Sequence, residues 1–252
     1  MPRTILTDNG WEKLKEILRS SGRVYNKYEH RNTMEGILYR MRTGIQWRDL
    51  PPEFGQWNTV FRRFNLWSKK GLLKKLFSYL ASESDNEWLF IDGSIVKAHQ
   101  DSAGALSAED EAIGKSRGGN STKIHLAVDS GGLPVHFELS GGQVNDIVHA
   151  QSIVRCSPKA KTVCADKGYD SERFREFIEG LGSKANIPRK SNSHTGNEDM
   201  DWCIYKYRHL VENAFQKIKK FRAVATRYDK LERNYSSTVA LALTMMWLPQ
   251  HC

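Results

Sequence analysis

The chain of 252 residues is 39% apolar, which suffices for one large domain or two modest ones. It holds no apolar run long enough to span a bilayer, no secretory signal at its start and no CxxC pair among its four cysteines, so we expect a protein of a reducing cytosol without a zinc ribbon or a disulfide framework. With 38 Lys and Arg against 29 Asp and Glu, the net charge is +9, which favours an acidic partner such as nucleic acid but is also common in proteins that bind none.

Residues 1–82 have the pattern of a helical domain. Thr7 and Asp8 can cap a first helix, in which apolar residues recur every three or four positions. Asn32 and Glu35 resemble a capping box that opens a second helix. A third helix is predicted after Asn58. We therefore interpret residues 1–82 as a small all-α domain.

The third predicted helix carries basic residues, Arg62 and Arg63 among them, away from its apolar side. Two helices joined by a short turn, the second of them basic, are typical of a helix-turn-helix that reads DNA. The alternative is a plain helical bundle with a solvated basic face. The pattern alone does not separate these two interpretations.

From residue 83 onward the pattern changes to alternating strands and helices. The predicted strands are 88–91, 123–128, 133–139, 161–165 and 184–187, and the predicted helices are 146–154, 171–181, 201–221 and 239–248. The second and third strands are joined by a turn and form a hairpin. This order predicts an α/β fold in which one mixed sheet is flanked by helices, so residues 83–252 form a second domain.

Two aspartates each follow a predicted strand. Asp92 follows 88–91, and Asp166 follows 161–165. A carboxylate at a strand end beside glycine is held by a rigid element and open to solvent, at the edge where the active sites of α/β sheets gather. Alternatively, each aspartate only ends its strand in a turn, which is a common structural use of this residue.

Four polar residues share one face of the predicted helix 201–221. Tyr205, Arg208, Glu212 and Lys219 are spaced by 3, 4 and 7 positions. At about 100° per residue they fall within roughly 60° of one another, whereas the apolar residues of the helix lie elsewhere. The face can therefore line a cleft. The alternative is a solvated stripe with a surface ion pair between Arg208 and Glu212.

Three carboxylates with basic residues beside them suit phosphodiester chemistry. Mg²⁺ is a hard cation that binds one or two carboxylates and phosphate oxygens. Two such ions about 3.5–4 Å apart can activate an attacking oxygen and stabilise a leaving one. Asp92, Asp166 and Glu212 can hold such a pair, and Arg208 and Lys219 suit phosphate oxygens.

These residues resemble those of bacterial DDE transposases of the insertion-sequence 4 and 5 type. Residues 205–219 contain Y-x2-R-x3-E-x6-K, similar to the YREK signature of that group, and Asp92 in FIDGSIVKAHQ and Asp166 in ADKGYDS are similar to its two aspartate motifs. The insertion-sequence 5 family in particular is resembled by GILYRMRTGIQWRDLPPEFGQWNTVFRRFNLWSKKG, AIGKSRGGNSTKIHLAVDSGG and ATRYDKLERN. The resemblance extends from residue 7 to residue 248.

The resemblance implies an RNase H-like catalytic domain, residues 83–252, preceded by a helical DNA-binding domain, residues 1–82. It implies a DNA transposase that binds terminal inverted repeats, cleaves DNA with Mg²⁺-activated water and transfers the 3′-OH end to target DNA. Asp92, Asp166 and Glu212 would then be the catalytic residues and the ligands of two Mg²⁺ ions, for which Mn²⁺ can substitute.

By the same resemblance, Tyr205, Arg208 and Lys219 would hold phosphates near the cut ends. The implied partners are the terminal inverted repeats and the target DNA. A working complex holds two element ends, so a homodimer or a higher oligomer on DNA is expected. The expected location is the bacterial cytoplasm, in association with the nucleoid.

Other polar residues have a less specific pattern. Lys115, Arg117, Arg189 and Lys190 lie in predicted loops, where they either follow a DNA backbone or are solvated charges. Asp146, at the start of the predicted helix 146–154, is not assigned a role by the sequence, although a helix cap is the preferred interpretation.

Two other functions stay open at this point. One is a non-catalytic, transposase-derived regulator that binds DNA, although the presence of all three acids argues against it. The other is a nuclease of the same fold, which would cut DNA without joining a 3′-OH to a target.

Overall fold

The computed structural model describes residues 3–20, 28–102, 112–191, 193 and 195–248. They fold into two compact units. The first unit draws on Met1–Leu80, Ala98–Glu111 and Ile218–Cys252, and the second on Ala81–Lys97 and Ala112–Lys217. The division into domains at residues 82 and 83 stays a prediction, and the first unit also draws on residues from the C-terminal part of the chain.

The first unit is helical. Its elements are α1 (Asp8–Ser20), α2 (Tyr28–Thr43), α3 (Trp57–Lys69), α4 (Leu72–Ala81), α9 (Arg222–Ala225), the short strand β7 (Thr226–Arg227) and α10 (Glu232–Trp247). Two 3-10 turns, Trp47–Asp49 and Pro52–Phe54, lie in the connection between α2 and α3. Helix α10 is buried from Asn234 to Met245 and packs against α2, α3 and α9. It is therefore the central helix of this unit.

One of the two predicted helix caps is confirmed and the other is wrong. Gly10 N–H donates to Thr7 Oγ1 at 2.9 Å, so Thr7 caps α1. Helix α2, by contrast, begins at Tyr28, before the predicted capping box. The Glu35 carboxylate instead accepts hydrogen bonds from the backbone N–H groups of Ile5 and Leu6, at 2.8 and 2.9 Å. Glu35 is thus hydrogen-bonded to residues about thirty positions earlier and does not form the predicted capping box.

The second unit is built on one mixed sheet. Its strands are β1 (Trp88–Ala98), β2 (Gly114–Ser116), β3 (Gly119–Val128), β4 (Pro134–Gly141), β5 (Thr162–Cys164) and β6 (Lys184–Asn186). The strand order is β2-β3-β1-β5-β6, with β4 also paired to β3. The pairs of β3 with β1, β2 and β4 are antiparallel, whereas β5 is parallel to both β1 and β6. Helices α5 (Asp146–Cys156) and α6 (Glu172–Gly180) pack on this sheet. The predicted mixed α/β arrangement is confirmed.

Strand β1 is longer than predicted. It continues to Ala98, so a strand that ends at Asp92 is wrong. The physical reason is the ladder with β3, which pairs residues from Phe90 to Lys97 and keeps the backbone of β1 extended beyond Asp92. Asp92 therefore lies inside a strand, opposite Leu126 of β3.

The predicted helix 201–221 is also interrupted. Helix α7 (Trp202–Tyr205) is capped by Asp201, whose side chain accepts from Ile204 N–H at 3.0 Å. A 3-10 turn, Lys206–Arg208, then leads into α8 (His209–Lys219). Such turns are frequent connectors between helical segments. The constant rotation of about 100° per residue, which placed Tyr205 and Glu212 on one helix face, does not hold across this turn.

Among the described residues, no helix combines the length and the apolar character needed to cross a membrane.

Candidate functional site

The parallel pairing of β1 and β5 brings Asp92 and Asp166 to equivalent positions along neighbouring strands. Strands β1 and β5 are parallel neighbours, and Phe90 is paired with Cys164. Each aspartate follows its paired residue by two positions. Because neighbouring strands lie about 4.8 Å apart, the two carboxylates emerge close together, where β5 ends.

Asp92 is in an environment that disfavours its negative charge. Burial raises its pKa to about 6, and the nearby charges of Asp166 and Asp146 act in the same direction. The backbone N–H of Gly93, which donates to Asp92 Oδ1 at 2.8 Å, and the guanidinium of Arg208 oppose this rise without cancelling it. The ionised carboxylate thus lacks full compensation by positive charge.

Asp166 is held by the turn that follows β5. Its carboxylate accepts a hydrogen bond from Gly168 N–H at 2.8 Å and caps the 3-10 turn Lys167–Tyr169. The side chain is partly exposed. One carboxylate oxygen therefore fixes the turn, and the group stays accessible from outside.

Glu212 reaches the same place through Arg208. The Arg208 Nη1 lies 3.4 Å from Asp92 Oδ2, and Nη2 donates to Glu212 Oε1. Burial alone would lower the pKa of Arg208, but Glu212 and Asp92 outweigh it and the pKa is raised. One guanidinium therefore contacts an acid of β1 and an acid of α8, although 120 positions separate the two acids in the sequence.

Two tyrosines complete the surroundings of the acids. Tyr205 is partly buried, and burial raises its pKa, with Asp166 adding to the rise against Arg208. Tyr169 is buried, and its pKa is raised by burial and by the charges of Asp146, Asp92 and Asp166. Tyr169 was missed by the sequence argument, although it lies in the same ADKGYDS motif as Asp166.

Asp146 is not the cap of α5. Asn145 has that position, and its side chain accepts from Ile147 N–H at 3.4 Å. Asp146 is instead the first residue of α5 and forms an ion pair with Lys123 at 3.2 Å. Its charge acts on both Asp92 and Tyr169. The prediction of a cap was therefore wrong by one residue, and it concealed a carboxylate near the site.

Lys115 and Arg117 are exposed side chains of a groove beside β2 and β3. The groove has a volume of about 660 Å³, within the range of ligand-binding clefts. Lys97 of β1 and the half-exposed Ile95 also line it. Lys97 was not singled out from the sequence. Among the described residues, three cationic side chains thus line this open groove.

The other predicted basic residues have different surroundings. Arg189 is partly buried and is paired with Glu172 and with Asp199, the latter at 3.8 Å. Lys190 is exposed, and its backbone N–H donates to Asp170 Oδ2 at 2.7 Å. On α3, Arg62 is exposed and Arg63 is partly buried, and Lys219 is the last residue of α8, with a pKa lowered by burial.

Two family descriptions together match most of the chain. Residues 6–77 match the family described as "Putative transposase of IS4/5 family". Residues 83–247 match the family described as "Transposase DDE domain". The second match contains Asp92, Asp166 and Glu212.

Several curated proteins are similar to parts of the chain. The "Uncharacterized protein y4sN" of Sinorhizobium fredii is 37% identical over 106 residues, which are 41% of this chain and 85% of that protein. The "Putative transposase for insertion sequence element IS6501" of Brucella ovis is 35% identical over 131 residues, 50% of this chain and 98% of the relative. The "Putative transposase for insertion sequence element IS402" of Burkholderia cepacia is 27% identical over 120 residues, 43% of this chain and 54% of the relative.

Among solved structures, the cryo-EM structure of the piggyBac transposase synaptic complex with hairpin DNA is similar, with a TM-score of 0.52 and 9% identity over 94% of this chain and 70% of that one. At this identity the similarity concerns the fold alone. Together with the mixed sheet, it confirms the predicted RNase H-like class. With both family descriptions matched, the chain belongs to the IS4/5 family of transposases and carries a transposase DDE domain.

Proposed function

We propose that this chain is an active DNA transposase, which cleaves DNA at the terminal inverted repeats of a mobile element and joins the freed 3′-OH to target DNA. The observation that carries the proposal is the contact of Arg208 with both Asp92 and Glu212, beside Asp166 at the end of β5. These contacts support a shared site for three carboxylates from three elements, a ligand set that suits two-metal phosphodiester chemistry.

The three acids fit divalent cations by their chemistry. Asp92, Asp166 and Glu212 offer oxygen ligands, which Mg²⁺ and Mn²⁺ prefer. The raised pKa of Asp92 supports this fit, because its ionised form has too little positive charge around it. When bound, two Mg²⁺ ions, or Mn²⁺ in their place, would assist attack on the phosphodiester and departure of the leaving oxygen.

The neighbouring polar residues would hold the DNA strand. The guanidinium of Arg208 has a fork of donors that matches phosphate oxygens, and it already lies between two of the acids. Tyr205 has a pKa raised by burial, so its phenol stays neutral at pH 7 and can donate a hydrogen bond to phosphate. We extend the same role to Lys219, at the end of α8.

The proposed reaction proceeds without a covalent bond between the enzyme and DNA. Cys164 is the cysteine nearest to the acids in sequence, but burial raises its pKa to about 12, so the nucleophilic thiolate is disfavoured. The attacking groups are water in the cleavage step and the DNA 3′-OH in the joining step. The chain positions both reactants and the phosphate between them.

DNA outside the reacting phosphate is proposed to follow the groove that contains Lys97, Lys115 and Arg117. These side chains are exposed and carry the charge that phosphate contacts need. Lys190 and the α3 residues Arg62 and Arg63 are further candidates on the surface. Arg189 would first have to leave Glu172 and Asp199, so it is the weakest candidate of the set.

The test uses the inverted repeats that flank the gene. The full chain is incubated with a labelled repeat duplex, a supercoiled target plasmid and Mg²⁺ or Mn²⁺. We expect nicking at the repeat end and joining of the repeat to the plasmid. Asp92→Asn, Asp166→Asn and Glu212→Gln should each abolish cutting while leaving duplex binding nearly unchanged. Glu176→Gln, an exposed acid on α6, is the matched control and should cut normally.

The same assay separates the alternatives. Repeat binding without cutting under either ion would indicate a transposase-derived regulator. Cutting without joining would indicate a nuclease of the same fold. Normal cutting by any one of the three acid variants would contradict the ligand assignment.

Joining two element ends requires more than one active site, so we propose at least a homodimer on DNA, at the bacterial nucleoid. Light scattering of the chain with repeat DNA should give two chains or more per complex. A complex that keeps one chain at every concentration would contradict this part of the proposal.

A further inference from the structure

Two side chains of strand β3 lie beside the carboxylate of Asp146. Lys123 Nζ lies 3.2 Å from Asp146 Oδ2, and His125 Nδ1 lies 3.3 Å from Oδ1. Lys123 and His125 are two residues apart on β3, so they point to the same face of the sheet. Lys123 also donates to the backbone oxygen of Val144 at 2.7 Å, just before α5 begins. The start of α5 is therefore attached to the sheet.

His125 is itself fixed by its neighbours. It is buried, its Nε2 and the Ser140 Oγ are hydrogen-bonded at 2.8 Å, and its ring stacks on His149 with centroids 4.3 Å apart. His149 Nδ1 in turn lies 2.7 Å from Glu138 Oε2. These contacts connect α5 with β3 and β4, so the Asp146 carboxylate has little freedom to move.

The carboxylate of Asp146 contacts Gly93, the residue that follows Asp92. A Cβ atom built on Gly93 would lie 1.9 Å from Asp146 Oδ1, so only glycine fits there while Asp146 keeps its position. The N–H of the same Gly93 donates to Asp92 Oδ1 at 2.8 Å. The backbone that orients Asp92 is thus in contact with Asp146.

We propose that Asp146 is a positioning residue for Asp92, which acts by fixing the Gly93 backbone from the opposite side. The inference rests on the proposed function, because it assigns Asp92 to a metal-binding site. Asp146 is not a ligand in this proposal. Residues that orient metal ligands typically contribute about 10- to 100-fold to metal affinity.

The test measures Mn²⁺ binding to the full chain without any reaction, by the electron paramagnetic resonance signal of free Mn²⁺. Asp146→Ala should weaken binding about tenfold or more. Asp146→Asn keeps the shape and an acceptor oxygen and should retain most of the affinity. Gly93→Ala should lose affinity from the other side of the same contact, because its methyl group displaces the carboxylate.

Two control variants separate positioning from general damage. Asp129→Asn affects an acid that organises the β3–β4 turn by accepting from Gly131 and Leu133 N–H, so it should change stability without changing Mn²⁺ affinity. Gly180→Ala has no atom within 4 Å of the new methyl group and should bind Mn²⁺ normally. Circular dichroism confirms that each variant is folded.

The outcomes are distinct. If Asp92→Asn leaves Mn²⁺ affinity unchanged, the metal site of the proposed function is wrong, and the role of Asp146 with it. If Asp92→Asn weakens binding but Asp146→Ala and Gly93→Ala stay within twofold of wild type, only the positioning role is overturned. Equal losses for Asp146→Asn and Asp146→Ala would also overturn it, because charge rather than contact would then be responsible.

Discussion

Replacing Asp92 by asparagine should stabilise the fold at high pH while removing the proposed chemistry. In the folded chain the pKa of Asp92 is raised to about 6 from the ordinary 3.8, chiefly by burial. The folded state therefore holds this proton more tightly than the unfolded state. The resulting stability is fully present below about pH 4 and is lost as the pH rises to 6. Above that pH the buried, ionised carboxylate destabilises the folded state. Asparagine carries no charge and avoids this destabilisation.

The size of the effect follows from the two pKa values. Their difference corresponds to about 3 kcal/mol in the free energy of unfolding. The side chain is 22% exposed, so solvent screens only part of the effect. For a chain of this size, 1 kcal/mol shifts the melting temperature by about 2–4 °C. We therefore expect Asp92→Asn to melt on the order of 5–10 °C above wild type at pH 8.

The assay is calorimetry of both proteins at pH 8 and at pH 4.5, with EDTA present to keep divalent ions away. The gap between variant and wild type should be large at pH 8 and small at pH 4.5. Glu176→Gln, an exposed acid, should track wild type at both values. A gap of the same size at both pH values, or a variant less stable than wild type at pH 8, would refute the reasoning.

Three further predictions concern other contacts. Arg208→Lys replaces a fork that reaches two acids by a single point charge, so repeat cleavage should fall roughly 100-fold with little change in duplex affinity. Lys115→Ala combined with Arg117→Ala should lower the slope of log affinity against log salt by about 2, because two phosphate contacts are lost. Tyr235→Phe removes the hydrogen bond to the Val224 oxygen, 2.7 Å long and buried, and should cost about 1 kcal/mol of unfolding free energy by urea titration.

Each of these predictions has a clear contrary result. Cleavage by Arg208→Lys at the wild-type rate would show that one point charge suffices. An unchanged salt slope for the Lys115 and Arg117 variant would place the DNA elsewhere, and Lys161→Ala, an exposed lysine outside the groove, is its control. Equal urea midpoints for Tyr235→Phe and wild type would mean that the hydrogen bond contributes nothing net.

Local patterns in the sequence predicted the elements well. Alternation and apolar runs gave the β3–β4 hairpin and the strands beside it, because these residues pack on a sheet regardless of distant contacts. Thr7 was predicted as a cap because its partner lies three residues away. In each case the deciding interaction is short-range.

The predictions were wrong where contacts between residues far apart in the sequence determine the local structure. Glu35 binds Ile5 and Leu6, so the pattern of a capping box was misleading. Asp92 was placed at a strand end because the pairing of β1 with β3 beyond it is not visible in the order of residues. The contact of Arg208 with Asp92 joins residues 116 positions apart. Spacing predicted that Arg208 and Glu212 are neighbours, but only the fold brings Asp92 to them.

The arrangement of the first unit affects the order in which the chain can fold during synthesis. The buried helix α10, which packs against α2 and α3, follows every strand of the second unit in the chain and is therefore synthesised after them. Domains generally fold as units while the chain is being made. The sheet of the second unit can thus form before α10 is available to pack against α2 and α3. A nascent chain, or one shortened by a frameshift before residue 232, would therefore expose the apolar faces of these helices to chaperones and proteases.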